Sequence, residues 1–318
     1  MRKCRIFLGV FLLLGILLNS AGCFQRTRYI VFSDKKHIIT QVSCTDRDCI
    51  GIVLDNAELL VCDYKGHELC RKQFEKSINQ LDISLESVLL QYADDSIELY
   101  RLENNDMELK IRREFTSPVK SAEIVSRTRE LDGLIVLLEN GDLYLFKDQS
   151  DSKDCLPLDE HVKTVACLYD HFVYIKDNGK VELIWQGSSD ACETDIDPEI
   201  ARDIKELKLA RFNGKEGFLG IGTDQVCYLS GIAPLSLDTG TDITNINTDS
   251  VLSGKGVDYS VVYQENGKWY YEGMRRDYES DINHENRRRI KPKDGESMIP
   301  IPGGVIFYTD HEVRIQLI

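Results

Sequence analysis

The chain has 318 residues, 42% of them apolar, and its 53 acids against 39 bases leave a formal net charge of −14. A surface of that sign repels phosphate backbones, which excludes nucleic acid as an expected partner. The ten cysteines form no CxxC pair and the six histidines are scattered, so neither a metal nor a cofactor is expected.

The first 22 residues read as a secretory signal. Arg2, Lys3 and Arg5 precede an uninterrupted apolar run over residues 6–18, and the small residues Ser20, Ala21 and Gly22 follow. The run is 13 residues long, against the roughly 20 that a spanning helix needs. The junction "SAGC" resembles the lipobox of bacterial lipoproteins, with Ser20 standing where that family usually carries an aliphatic residue. The resemblance implies lipidation at Cys23, a short tether over residues 23–27, and an extracytoplasmic protein held on its membrane. Two acyl chains give stable anchoring where one binds only reversibly. The alternatives are cleavage after Gly22 without lipid, or an uncleaved anchor. Loss of Arg2, Lys3 and Arg5 with the signal, which contains no acid, moves the formal charge from −14 to −17.

Outside the cytoplasm the remaining eight cysteines are able to pair, and in a reducing or anaerobic setting they stay thiols. Cys44 and Cys49 flank "TDRD" and Cys62 and Cys70 flank "DYKGHEL", so each couple is placed to close a hairpin. Cys167 and Cys227 sit in apolar strand patterns and read as small buried hydrophobes.

From residue 28 onward the chain reads as strands. The segment "RYIVFS", residues 28–33, is a lone strand with no partner of its own. After it comes a repeat. A turn interrupts an apolar strand pair at Asn56, Asp95, Asn140, Asn178, Thr223, Asn266 and Asp310, with spacings of 39, 45, 38, 45, 43 and 44 residues. Asn-Gly and its relatives at such points predict tight hairpins of type I′, which need positive φ at both central positions. Each hairpin follows a shorter strand with two aliphatic residues three apart: Ile39 and Val42, Ile78 and Leu81, Val119 and Ala122, Val162 and Val165, Ile204 and Leu207, Ile243 and Ile246. A weaker copy, Met298 and Ile301, precedes the last.

Four strands per unit at a period of 40 to 45 residues predict an all-β fold, a seven-bladed β-propeller of four-stranded blades over residues 28–318. The 296 residues from Cys23 onward divide into seven units of about 42. The seventh unit lacks its outermost strand, and the spare strand at residues 28–33 supplies it, closing the ring and removing two sheet edges. A monomer is expected.

The fourth unit, "VKTVACLYDHFVYIKDNGKVELIWQG", resembles a repeat of the regulator of chromosome condensation family. The first two units resemble WD repeats, as in "LLVCDYKGHELCRKQF". No unit carries a full motif of either family, so the resemblance implies the fold and not an inherited activity.

No nucleophile elbow, HExxH, P-loop or dinucleotide glycine pattern occurs. "GFLGIGTD" lies within the fifth hairpin and not between a strand and a helix. "ETDIDPE" offers Asp195, Asp197 and Glu199 as oxygen ligands, but without the spacing or glycine of a calcium loop it reads as a solvated acidic loop. The expected function is a tethered, non-enzymatic binding module for a protein or envelope polymer. A propeller enzyme acting on carbohydrate or peptidoglycan and a scaffold in envelope assembly are the other readings.

The best partner site is the segment at residues 272–296, whose seven basic and seven acidic residues cancel overall. Segments of such length without a strand pattern are usually functional or disordered. Arg287, Arg288, Arg289, Lys291 and Lys293 make a local basic block, and Trp269 and Tyr271, on one face of the preceding strand, are expected to form an aromatic wall beside it.

Overall fold

A computed structural model of the protein describes residues 28–44, 49–84, 86–126, 132–147, 155–168, 171–185, 192–194, 196–233, 236–238, 242–254, 260–273 and 287–318. The signal, Cys23, the tether, Asp195 and residues 274–286 lie outside them. Among the described residues no helix is long and apolar enough to cross a membrane.

The strands assemble into seven antiparallel sheets, one per unit. Blades 1 to 6 span residues 39–73, 78–113, 119–159, 162–193, 206–238 and 252–289. Blade 7 combines residues 297–317 with the strand Arg28–Ser33, which pairs antiparallel with Glu312–Leu317. The ring is thus closed by the N-terminal strand, and the first strand of each blade lies against the first strand of the next all the way round. Seven hydrophobic clusters fill the seven gaps between neighbouring blades. Both faces of each middle strand are covered, which is why "SVLLQY" at Ser87–Tyr92 is buried at every position.

The two-aliphatic signature works through a β-bulge. Residues three apart on a regular strand point to opposite faces. In blades 1 to 4 the register slips at Thr40, Asn79, Lys120 and Lys163, between the two aliphatic positions. The extra residue turns both side chains into the layer against the preceding blade, as with Ile78 and Leu81. Blade 7 shows the converse. Its first strand, Ser297–Ile301, pairs without a slip, so Met298 faces blade 6 while Ile301 faces blade 1.

Blade 6 departs from the expected strand. Ile243 belongs to a two-residue strand on blade 5, Ile246 makes a single bridge to Glu265, and the first strand proper is Leu252–Ser253. Both isoleucines still fill the layer between blades 5 and 6. The signature therefore marks which residues fill the gap rather than where the strand begins.

The turns correct the expected type. In blades 1 to 4 the loop has three residues, and only the last takes positive φ: Ala57, Asp95, Gly141 and Gly179. The Asx residue before it stays at negative φ and its side chain accepts an amide two residues on, as Asn178 does from Lys180 at 2.9 Å. That is the type I turn with a left-handed closing residue. The type I′ turn occurs in blade 6, where Asn266 and Gly267 both have positive φ.

An inner strand leaves amides on its open edge. The preceding blade satisfies them with side chains. Gln41 accepts from Leu81 at 2.7 Å, Ser43 from Ile83 at 3.3 Å, Asp82 from Ile124 at 3.4 Å, Glu123 from Cys167 at 3.2 Å and Thr164 from Leu207 at 3.3 Å. The carbonyls at the bulges are served similarly, with Gln41 donating to Asn79 and Lys120 to Lys163.

The cysteine couples do not close hairpins. Cys62 packs toward blade 7 and Cys70 toward blade 2, on opposite faces of their sheet, which no disulfide can span. Burial pushes the Cys62 thiol up to about 12. Cys44 and Cys49 likewise enter different layers. Cys167 and Cys227 are buried hydrophobes, as expected.

Candidate functional site

The basic block sits on the outermost strand of blade 6. Arg288–Arg289 pairs with the third strand, Lys268–Glu272, so that Arg289 is opposite Tyr270 and Arg288 opposite Tyr271. Cross-strand partners share a face. Arg287 and Arg289 therefore lie on the side toward blade 5, and Arg288 on the side toward blade 7. Arg287, Arg288, Arg289 and Lys291 are all exposed.

Arg287 is held in place. Its guanidinium lies 4.1 Å from the centroid of Tyr270 and 5.7 Å from that of Tyr263, and it pairs with Glu265. The lower end of the strip is fixed as well. Lys293 donates its backbone amide to Glu296 at 2.7 Å, and Glu296 grips Arg314 through contacts of 2.7 and 2.5 Å. Burial raises the Glu296 pKa, but the bonds from Arg314 and the Lys293 amide, together with the charges of Arg314 and Lys293, outweigh it and hold the carboxyl below its ordinary value. Between these two fixed ends Arg289 and Lys291 present cations to solvent, and Arg288 is exposed on the blade 7 side of the same strand; such guanidinium and ammonium groups suit carboxylate or phosphate.

The expected aromatic wall is placed differently. Trp269 and Tyr271 do share a face, but that face packs against blade 7. Tyr271 is 1% exposed; its hydroxyl donates to the Ile301 carbonyl at 3.0 Å and accepts from the Gly303 amide at 2.9 Å. Trp269 is half-buried in the same layer. The aromatic beside the cations is Tyr270. Alternation alone puts it on the opposite face from Trp269, where it meets Arg287.

Other polar clusters serve the fold. Glu98 accepts from both Tyr92 and Tyr100 and from Arg112. Burial raises its pKa, and the tyrosine hydroxyls with Arg112 more than offset this, so its carboxyl stays ionised below its ordinary range. Tyr174 with Asp159, and Tyr263 with Glu272, repeat the pairing. In the acidic loop, Asp197 caps the short helix Pro198–Asp203 by accepting from Glu199 at 2.8 Å. Among the described residues no group of three or more His, Cys, Asp or Glu is arranged to hold a metal.

No protein-family model matches the sequence, and no curated protein matches it. Solved structures match its fold. The N-terminal domain of Nup159 is similar with a TM-score of 0.54 and 10% identity, over 91% of this chain and 94% of that one. The WD40 domain of SCAP from fission yeast gives 0.52 and 11%, over 92% and 98%. BamB from Moraxella catarrhalis gives 0.50 and 12%, over 90% and 84%. At such identities the likeness shows the propeller fold alone.

Proposed function

We propose that the protein is a cell-envelope-tethered, non-enzymatic binding module. It is exported, held on the membrane by lipid at Cys23, and presents Arg288, Arg289 and Lys291, with Arg287 fixed beside them, to a protein or polymer that bears carboxylate or phosphate groups. The observation that carries the reading is the apolar run ending in "SAGC", only five positions before the strand Arg28–Ser33 that closes the ring. Such a chain is a leader, a short tether and a propeller. The cationic strip supplies attraction and orientation, which suits capture of a partner rather than bond making.

The reading is tested by cross-linking in intact cells, comparing wild type with an Arg288→Ala, Arg289→Ala, Lys291→Ala variant. The variant is expected to melt like wild type and to lose the main cross-linked species. An unchanged set of species removes the strip as the partner site, and hydrolysis of polysaccharide or peptidoglycan by the purified protein overturns the non-enzymatic reading.

A further inference from the structure

Five large hydrophobic side chains are exposed among the described residues, and three of them share one corner of blade 7: Ile30 at 65%, Tyr29 at 41% and Leu317 at 36%. Tyr29 is opposite Ile315, and Leu317 lies two residues beyond Ile315, so Tyr29 and Leu317 are diagonal neighbours on the blade 1 face. Ile30 is opposite Arg314 and projects from the other face. Each side of the corner therefore carries an exposed apolar side chain. The remaining two, Ile38 and Leu109, stand elsewhere, in the link to blade 1 and on the outer strand of blade 2.

The corner coincides with the place where the chain enters the ring. Cys23 to Arg28 is five residues, a step of at most about 17 Å even when fully extended. The strand Arg28–Ser33 itself spans about 20 Å. Its far end meets the hairpin turns: the Asp34 amide donates to the His311 carbonyl at 3.0 Å and the Ile39 amide to the Asp310 carbonyl at 2.7 Å.

We infer that the corner formed by Tyr29, Ile30 and Leu317 rests in the interfacial layer of the bilayer and fixes which way the propeller faces. This rests on the lipid tether proposed above. An acylated Cys23 holds the start of the strand within reach of the headgroups, where tyrosine and aliphatic side chains gain by leaving water. The seven hairpin turns then lie at the end of the ring directed away from the membrane.

Hydroxyl-radical footprinting tests this. The acylated protein is reconstituted in vesicles of phosphatidylethanolamine and phosphatidylglycerol and compared with soluble Cys23→Ala protein lacking residues 1–22. Tyr29, Ile30 and Leu317 are expected to be oxidised severalfold less on vesicles, with Ile38 and Leu109 unchanged. Equal oxidation of the three residues on protein whose N-terminal peptide carries the lipid mass overturns the orientation and leaves the tether intact. A peptide without lipid mass overturns both.

Discussion

The side-chain oxygen of Gln41 accepts the backbone amide of Leu81 at 2.7 Å, crossing from blade 1 to blade 2. Thr164 does the same for Leu207 at 3.3 Å between blades 4 and 5. In this way neighbouring blades satisfy the inner-strand edges that the sheets leave open. Thr164→Val keeps the shape and removes the acceptor, so it is expected to cost about 1–2 kcal/mol. Gln41→Ala, at a less buried site, is expected to cost about 1 kcal/mol. Urea denaturation reads both; midpoints equal to wild type would show that these contacts are incidental.

Removing Arg28–Ser33 strips blade 7 of its outermost strand and exposes the edge of Glu312–Leu317. The truncated protein is expected to melt at a clearly lower temperature and to self-associate through the open edge. A truncation that melts with wild type contradicts closure by the N-terminal strand.

Gly179 and Gly267 both have positive φ, at 86° and 70°, yet only Gly179 is crowded. A Cβ at Gly179 would stand 2.4 Å from the Pro198 carbonyl oxygen, whereas nothing lies within 4 Å of one at Gly267. Gly267→Ala is expected to cost the backbone term of about 1–2 kcal/mol. Gly179→Ala should cost more, because the helix Pro198–Asp203 has to shift. Equal midpoint shifts for the two variants would refute the packing of that helix on the blade 4 turn.

Glu98 is buried and remains a carboxylate because Tyr100, Tyr92 and Arg112 favour its charge, holding its pKa below the ordinary 4.5. A depressed native pKa contributes stability that is present above the unfolded-state value and is lost as pH falls through the native one. Wild type is therefore expected to lose stability as pH drops below 4.5, and Glu98→Gln to lose less over the same range while starting lower at neutral pH. Parallel pH profiles for the two proteins would show that Glu98 does not contribute in this way.

Much of the fold can be read from short patterns because each answers to a local physical need. The turn residues recur because a left-handed closing residue is required at Gly141 and Gly179, and the paired aliphatics recur because the bulge turns both into one layer. Where the chain departs from those devices, reading from sequence fails. The insertion ahead of Leu252–Ser253 hides the first strand of blade 6, since Ile243 and Ile246 keep the packing role without the strand. The helix at Pro198 was signalled by Asp197 followed by proline, a cap and first-turn pair, obscured by the acidity of its surroundings. At the candidate site the exposed cations were visible in the sequence, but the aromatic partner was not. Alternation puts Trp269 and Tyr271 on one face and Tyr270 on the other, and only the positions of blades 5 and 7 decide which face carries Arg287.

The most direct test of the account is the fate of Cys23→Ala protein in fractionated cells. With lipid at Cys23 as the anchor, the variant is expected to leave the membrane fraction as a soluble extracytoplasmic protein, or to persist as unprocessed precursor. Normal processing with full retention on the membrane would contradict the tether, and with it the central claim.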